Sequence, residues 1–207
     1  MDTTSKLLTI PEVEGMTFDE GAHIYRVDGL EIPSVSAIME PLSRAKYSGI
    51  NAKTLEKAAE KGTSVHNGIE NYIKFGIRDV PEEHMGYFGA FLEWWNAYNP
   101  VVVASEVRLY NNLLGYAGTA DLIAYVEEEL TLIDYKSTYS VSEMTCGVQL
   151  EAYTRALMTM GVEAKAKKIL HLQKTGRFKY IDFKVNDTER WRVFTALKTV
   201  HDYIGAA

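Results

Sequence analysis

The hydrophobic pattern changes period along the chain, and each change predicts a different kind of element. Between residues 53 and 75, Leu55, Ala58, Ala59, Val65, Ile69, Tyr72 and Ile73 recur near helical spacing, and Gly76 supplies a stop. Residues 82–98 predict a second helix, with Met85, Phe88, Phe91, Leu92, Trp95 and Tyr98 as a broad apolar face ended by Asn99–Pro100. The period then shortens. Val101–Leu109, Tyr116–Val126 and Leu130–Lys136 are rich in β-branched and aromatic residues, separated by Asn111–Asn112 and an acidic turn at Glu127–Glu129. A helix follows from about Ser142 to Met160, with Gly161 closing it. Lys168–Gln173 and Tyr180–Val185 predict two strands flanking a turn at Thr175–Gly176. The last helix, 188–204, aligns Trp191, Phe194, Leu197, His201 and Ile204 on one stripe. Upstream, residues 17–33 alternate and carry two turn signals, Asp19–Gly21 and Asp28–Gly29, which predict a small hairpin. Ser34 can cap a short helix through Met39, ended by Pro41. This order predicts an α/β (α+β) fold with helices flanking a mixed central β-sheet.

Composition narrows the picture. A chain of 207 residues with 46% hydrophobic and 24% charged residues has ordinary globular values. No long Pro/Gly/Ser linker or internal repeat divides it. We therefore expect a single domain over 1–207, with an N-terminal hairpin and helical region (about 1–98) packed on a core (about 99–207). One cysteine, Cys146, excludes an intramolecular disulfide framework and a four-cysteine metal site built within one chain. The first fifteen residues lack the basic start and apolar core of a signal peptide. No uncharged run reaches the roughly 18 apolar residues of a membrane helix. The expectation is a soluble, cytoplasmic protein with no membrane partner.

The net charge of −6 argues against a sequence-independent nucleic-acid coat, but the charge is uneven. Residues 161–200 carry ten Lys and Arg against four acids. Such a segment is either a basic face or an ordinary solvated surface.

The chemistry-bearing strings are GTADLI at 118–123, LIDYKS at 132–137 and QLEAY at 149–153. Asp134 and Lys136 are two apart on a predicted strand and project to one side. Asp121 interrupts an apolar strand. If that strand pairs with the next through the acidic turn, Asp121 and Asp134 converge. Two carboxylates at one spot repel, and burying them unpaired is costly. A divalent cation relieves both problems, and hard oxygen ligands suit magnesium or manganese. An ammonium beside it, from Lys136, can orient a water or offset charge on a phosphate. The set points to metal-dependent phosphodiester hydrolysis. A lone Asp-x-Lys is far more often an ion pair on a solvated strand face.

In order and spacing these strings resemble the PD-(D/E)XK nuclease superfamily, and within it the RecB-like, phage-type exonuclease branch. Gly118 and Asp121 match the first acid and its Gly-containing strand start, Asp134 and Lys136 the second acid and lysine, and Gln149 and Tyr153 the QxxxY element. Gly62 and His66 (GTSVH) match an upstream helical histidine, and LEIPSVSAIME is similar to the N-terminal segment of phage members. The resemblance covers about residues 20–155. Ala120–Asp121 replaces the literal Pro-Asp, and the second acid is Asp.

The resemblance implies a restriction-endonuclease-like core acting as a DNA exonuclease. Asp121, Asp134, His66 and the Tyr135 backbone carbonyl would ligate the metal. Lys136, Gln149 and Tyr153 would complete the catalytic set. It implies no iron–sulfur cluster, since cluster-bearing relatives use four cysteines. No GxxxxGK[ST] string exists for a nucleotide. Glu70, four residues after His66, is a neighbour of the metal site or a surface acid. Glu106, on the preceding strand, is a further acid near the site or a sheet-edge charge. Gln149 and Tyr153 contact DNA or hold the lysine and water; otherwise they are an amide and a ring at a helix–sheet interface. Lys174, Arg177 and Lys179 are the candidate DNA contacts. The implied partners are DNA and a phage single-strand annealing protein, with homo-oligomerisation left open.

Overall fold

A computed structural model describes residues 8–205, so the expectations for residues 1–7 and 206–207 lie outside the described residues. The β-branched and aromatic runs form five strands: β4 (Val101–Asn111), β5 (Tyr116–Val126), β6 (Glu129–Lys136), β7 (Ala166–Leu172) and β8 (Phe178–Phe183). They make one mixed sheet in the order β4-β5-β6-β7-β8. The pairings are antiparallel except β6 with β7. A parallel pair needs a crossover, and helix α5 (Glu143–Thr159) supplies it. This is the mixed α/β architecture expected of a restriction-endonuclease-like core.

Alternation along the strands feeds two apolar cores. One face packs Leu132, Ile123 and Ile169 against α5, the short α1 (Val35–Ile38) and α6 (Thr188–Gly205). The other packs Leu122, Ile133, Tyr135 and Leu170 against α3 (Ala52–Phe75) and α4 (Met85–Tyr98), which follows a single 3-10 turn, Glu82–His84. Trp94 is fully buried there and Trp95 packs beside it. Helix α5 is covered on most sides, and its Glu151 is fully buried. Glu151 meets the buried Lys167 of β7, Arg155 at 2.8 Å and the Asp187 N–H at 3.0 Å. An unpaired charge there would be prohibitive, so this cluster fastens α5 to β7 and the start of α6. None of the helices, among the described residues, is long and apolar enough to cross a membrane.

One expectation near the N-terminus is corrected. The predicted hairpin is a three-stranded sheet of β1 (Met16–Asp19), β2 (Ile24–Val27) and β3 (Leu30–Ile32), because Asp28 and Gly29 both adopt positive φ and close a second tight hairpin. The short helix α1 does end before Pro41, and Pro41 itself lies in the first turn of a further helix, α2 (Glu40–Tyr47), where its missing N–H has no intrahelical partner to lose. Ser34 does cap α1, accepting the Ala37 N–H at 3.0 Å.

The β5–β6 hairpin turns through Glu127 and Glu128, at φ 51° and 69°. Left-handed backbone disfavours residues with a Cβ, and Asn-Gly is the pair such a turn prefers. Replacing Glu127–Glu128 with Asn–Gly should raise stability by about 1–2 kcal/mol, read as a higher urea midpoint with an unchanged m-value.

Candidate active site

Three acids share one row across β4, β5 and β6. The pairs Ser105↔Leu122 and Val107↔Ala120 flank the position where Glu106 faces Asp121, yet that pair is missing from the ladder. Glu106 has φ 48°, a left-handed conformation that costs a non-glycine residue about 1 kcal/mol or more. On the other side, the β5–β6 ladder ends at Leu122↔Ile133, one step before Asp121 would face Asp134. There the Tyr135 N–H donates to Asp121 Oδ2 at 2.6 Å. A carboxylate thus takes over a backbone partner, and the ladder stops where the acids begin.

Burial and mutual repulsion set the electrostatics. Burial pushes Asp121 up to about 6, opposed by His66 and reinforced by Asp134. Burial also pushes Glu106 up to about 8, helped by the charges of Asp121 and Glu70. His66 reaches the row from α3. Its Nε2 lies 3.2 Å from the Tyr135 carbonyl and its Nδ1 3.6 Å from Asp121 Oδ1. If Nε2 carries the proton, it donates to that carbonyl and leaves the Nδ1 lone pair facing the acids. Ligand atoms of His66, Glu106 and Asp121 all lie within 4.8 Å of one another.

Asp134 is turned the other way. Lys136 Nζ is 2.6 Å from Asp134 Oδ2, an ion pair off the hydrogen-bonding axis, so this buried oxygen has no hydrogen bond. Burial disfavours the Lys136 ammonium, but Asp134 and the other negative groups outweigh it and hold the lysine protonated well above its ordinary value. Lys136 Nζ also donates to Gln149 Oε1 at 3.1 Å, and Gln149 Nε2 donates to the Tyr153 hydroxyl at 3.1 Å. The Tyr153 ring lies against Gly118, where an added Cβ would come within 2.6 Å of it. Glycine at that strand start thus lets the ring pack and the chain Asp134–Lys136–Gln149–Tyr153 line up. Cys146 is buried on the same helix.

Glu106 and Asp121 open into a cleft of about 700 Å³ whose walls also include His66, Glu70 and Tyr153. Glu70 lies one helical turn beyond His66 and pairs with Lys74. Lys136 and Gln149 also line a smaller hollow of about 160 Å³, walled by hydroxyls of Ser36, Thr138, Ser140 and Ser142. The candidate DNA contacts stand apart from the acids, at the same end of the sheet. β6 and β7 run parallel, with Lys136 beside His171, so the β7–β8 turn lies past the Asp134–Lys136 end. Lys174, Arg177 and Lys179 are exposed and form no ion pair among the described residues. Five other cations of that segment are paired: Lys165, Lys167, Lys168, Arg190 and Lys198. The turn is seated against α4, where Gly86 leaves room for the Lys174 carbonyl.

Sequence reasoning gave Glu106 a marginal place, and the fold brings it to the centre of the row. The signal was the hairpin register: counting back from Asn111↔Tyr116 sets residue 106 against 121. A bulge between Val102 and Ala104 gives a different answer when counting from the other end. Arg108, two residues on, lines the same cleft and was not singled out.

The profile of the PD-(D/E)XK nuclease superfamily matches residues 52–202. No curated protein matches the chain. Among solved structures, the crystal structure of SSO0001 is similar at 14% identity, over 68% of this chain and 74% of that one, with a TM-score of 0.36.

Raised acid pKa values have a definite sign. An acid ionised only above its ordinary range favours the folded state at low pH, and that advantage is lost as pH rises. For Glu106 the window runs from 4.5 to about 8. In chelator, thermal stability should therefore fall from pH 5 to 9. Glu106→Gln should flatten that decline, matching wild type near pH 5 and exceeding it near pH 8.5 in a melting series.

Proposed function

The chain belongs to the PD-(D/E)XK nuclease superfamily, and on that premise we propose that it is a metal-dependent deoxyribonuclease, an exonuclease of the RecB-like, phage-type branch serving recombination or repair. The observation that carries this reading is the row of Glu106, Asp121 and Asp134, flanked by His66 on one side and Lys136 on the other. We read the N-terminal sheet, its helices and the five-stranded core as one nuclease unit.

The donor set suits a hard divalent cation. It offers carboxylates that repel one another and an imidazole with one nitrogen facing them. Asp121, Asp134, His66 and the Tyr135 carbonyl would hold magnesium or manganese, with Glu106 and Glu70 beside them. When bound, the cation supplies an acidified water and polarises the scissile phosphate.

The side chains do the rest. Lys136, held protonated by Asp134, orients the attacking water and offsets charge on the phosphate. Gln149 fixes the ammonium and is itself fixed by Tyr153. With its proton on Nε2, His66 donates to the Tyr135 carbonyl and keeps its Nδ1 lone pair toward the acids. Lys174, Arg177 and Lys179 contact the phosphate backbone beyond the site. A phage single-strand annealing protein is the partner such an exonuclease would serve.

End-labelled linear and circular DNA, each single- and double-stranded, should be cut only with added manganese or magnesium. Robust cleavage in excess chelator would remove the metal from this reading. Lys136→Ala should abolish cleavage while retaining most metal binding, and Asp134→Ala should lose both, measured by turnover and metal titration. A Lys136→Ala enzyme near wild-type turnover would contradict the role given to the lysine.

Replacing Lys174, Arg177 and Lys179 together with Gln should weaken DNA binding and lower the slope of log affinity against log salt by about two to three units. The melting temperature should barely move, because all three are exposed. An unchanged slope would place the DNA elsewhere.

A further inference from the structure

The N-terminal sheet β1–β3 lies outside the residues matched by the family, yet it forms a wall of the acid-lined cleft. It is tied directly to β5. The Ala117 N–H donates to the Pro33 carbonyl at 3.0 Å, and the Tyr25 and Thr119 hydroxyls share a hydrogen bond of 2.8 Å. Tyr25 is buried at the root of this wall. The ring of Phe18 lies on it, with centroids 4.4 Å apart and planes 31° from parallel. The guanidinium of Arg108 lies over the Phe18 ring, 5.4 Å from its centroid. Tyr25, Phe18 and Arg108 therefore form a three-layer stack, built from the N-terminal sheet and ending on a cation carried by β4.

That cation is unusual for its surroundings. Arg108 follows Glu106 by two residues, roughly 7 Å along the strand, and both line the cleft. Among the described residues Arg108 forms no ion pair and no side-chain hydrogen bond, although the cleft holds several carboxylates. The other long cation in the cleft, Lys74, is engaged by Glu70. A guanidinium stacked on a ring is fixed in plane, while its N–H edge keeps the fork that matches a phosphate.

We propose that Arg108 is a substrate-phosphate site, taking a backbone phosphate of the DNA strand next to the one at the acids, and that Phe18 is its positioning residue. This rests on the nuclease reading above and deepens it. The N-terminal sheet, rather than the core, then fixes where the strand lies relative to the acids.

The test is binding of a short labelled single strand and its duplex in calcium across several salt concentrations, with cleavage kinetics in manganese. Arg108→Ala should weaken binding about tenfold and lower the salt slope by about one unit. In cleavage the loss should fall mainly on KM. Phe18→Leu keeps the charge, so affinity should drop several-fold with the salt slope unchanged, and Phe18→Tyr should restore it. Arg108→Lys, which keeps charge but loses the fork, should recover the slope and only part of the affinity. Melting curves identify any variant that fails to fold, and Arg108→Lys carries the test if the alanine variant does.

Wild-type cleavage combined with unchanged affinity and slope in Arg108→Ala would overturn this proposal and leave the nuclease reading standing. Arg108-dependent binding by a wild-type protein that cleaves nothing in any metal would support the phosphate site and overturn the nuclease reading.

Discussion

The repulsion among three carboxylates placed in one row across adjacent strands governs the rest of this structure. Glu106, Asp121 and Asp134 come from β4, β5 and β6, and two of them are almost wholly buried. Bringing such groups together in a low-dielectric interior is unfavourable, and every nearby feature answers it. The Tyr135 amide and His66 engage Asp121, Lys136 engages Asp134, and Glu106 adopts left-handed backbone outside the ladder. The sheet gives up ladder pairs at this point. The two helices that serve the row approach from opposite faces, α3 bringing His66 and α5 bringing Gln149. The parallel β6–β7 step makes that possible, because it obliges α5 to cross the sheet directly after Lys136.

The cations divide into those that build the fold and those that remain free. Lys167 is buried against Glu151, and Lys168, Arg190 and Lys198 each meet an acid. Much of the positive charge counted along residues 161–200 is therefore structural. Of the five without an ion pair among the described residues, Lys174, Arg177 and Lys179 gather at the β7–β8 turn, while Lys184 and Arg192 are exposed elsewhere. On the other side of the acids, Arg108 stands on a stack of rings. An acidic centre bordered by free cations on both sides suits a polyanion that enters only when the centre is neutralised.

The sequence made the helices and strands legible because period alone distinguishes them, from Val65 and Ile69 on α3 to the unbroken apolar run of β5. Asp121, Asp134 and Lys136 were legible because charges interrupting apolar strands are costly without a purpose. The place of Glu106 was not, since it depends on a register broken by a bulge and on a positive φ that no residue type announces. The helix that follows Pro41 was not legible, since a proline marks the end of one helix and suits the first turn of the next equally well. The stack of Tyr25, Phe18 and Arg108 joins segments more than eighty positions apart, and no local pattern encodes that meeting.

Tyr135 stands between the second acid and the lysine, and its two ends answer to different parts of the molecule. Its amide clasps Asp121 and its carbonyl faces His66, while its ring packs edge-on against the His66 ring and among Phe91 and the other apolar side chains of its core. The main chain thus serves the acids directly, and the side chain ties His66 to the packed core. A change of shape in that core can therefore tilt the peptide and shift the His66 ring together, reaching Asp121 from two sides at once.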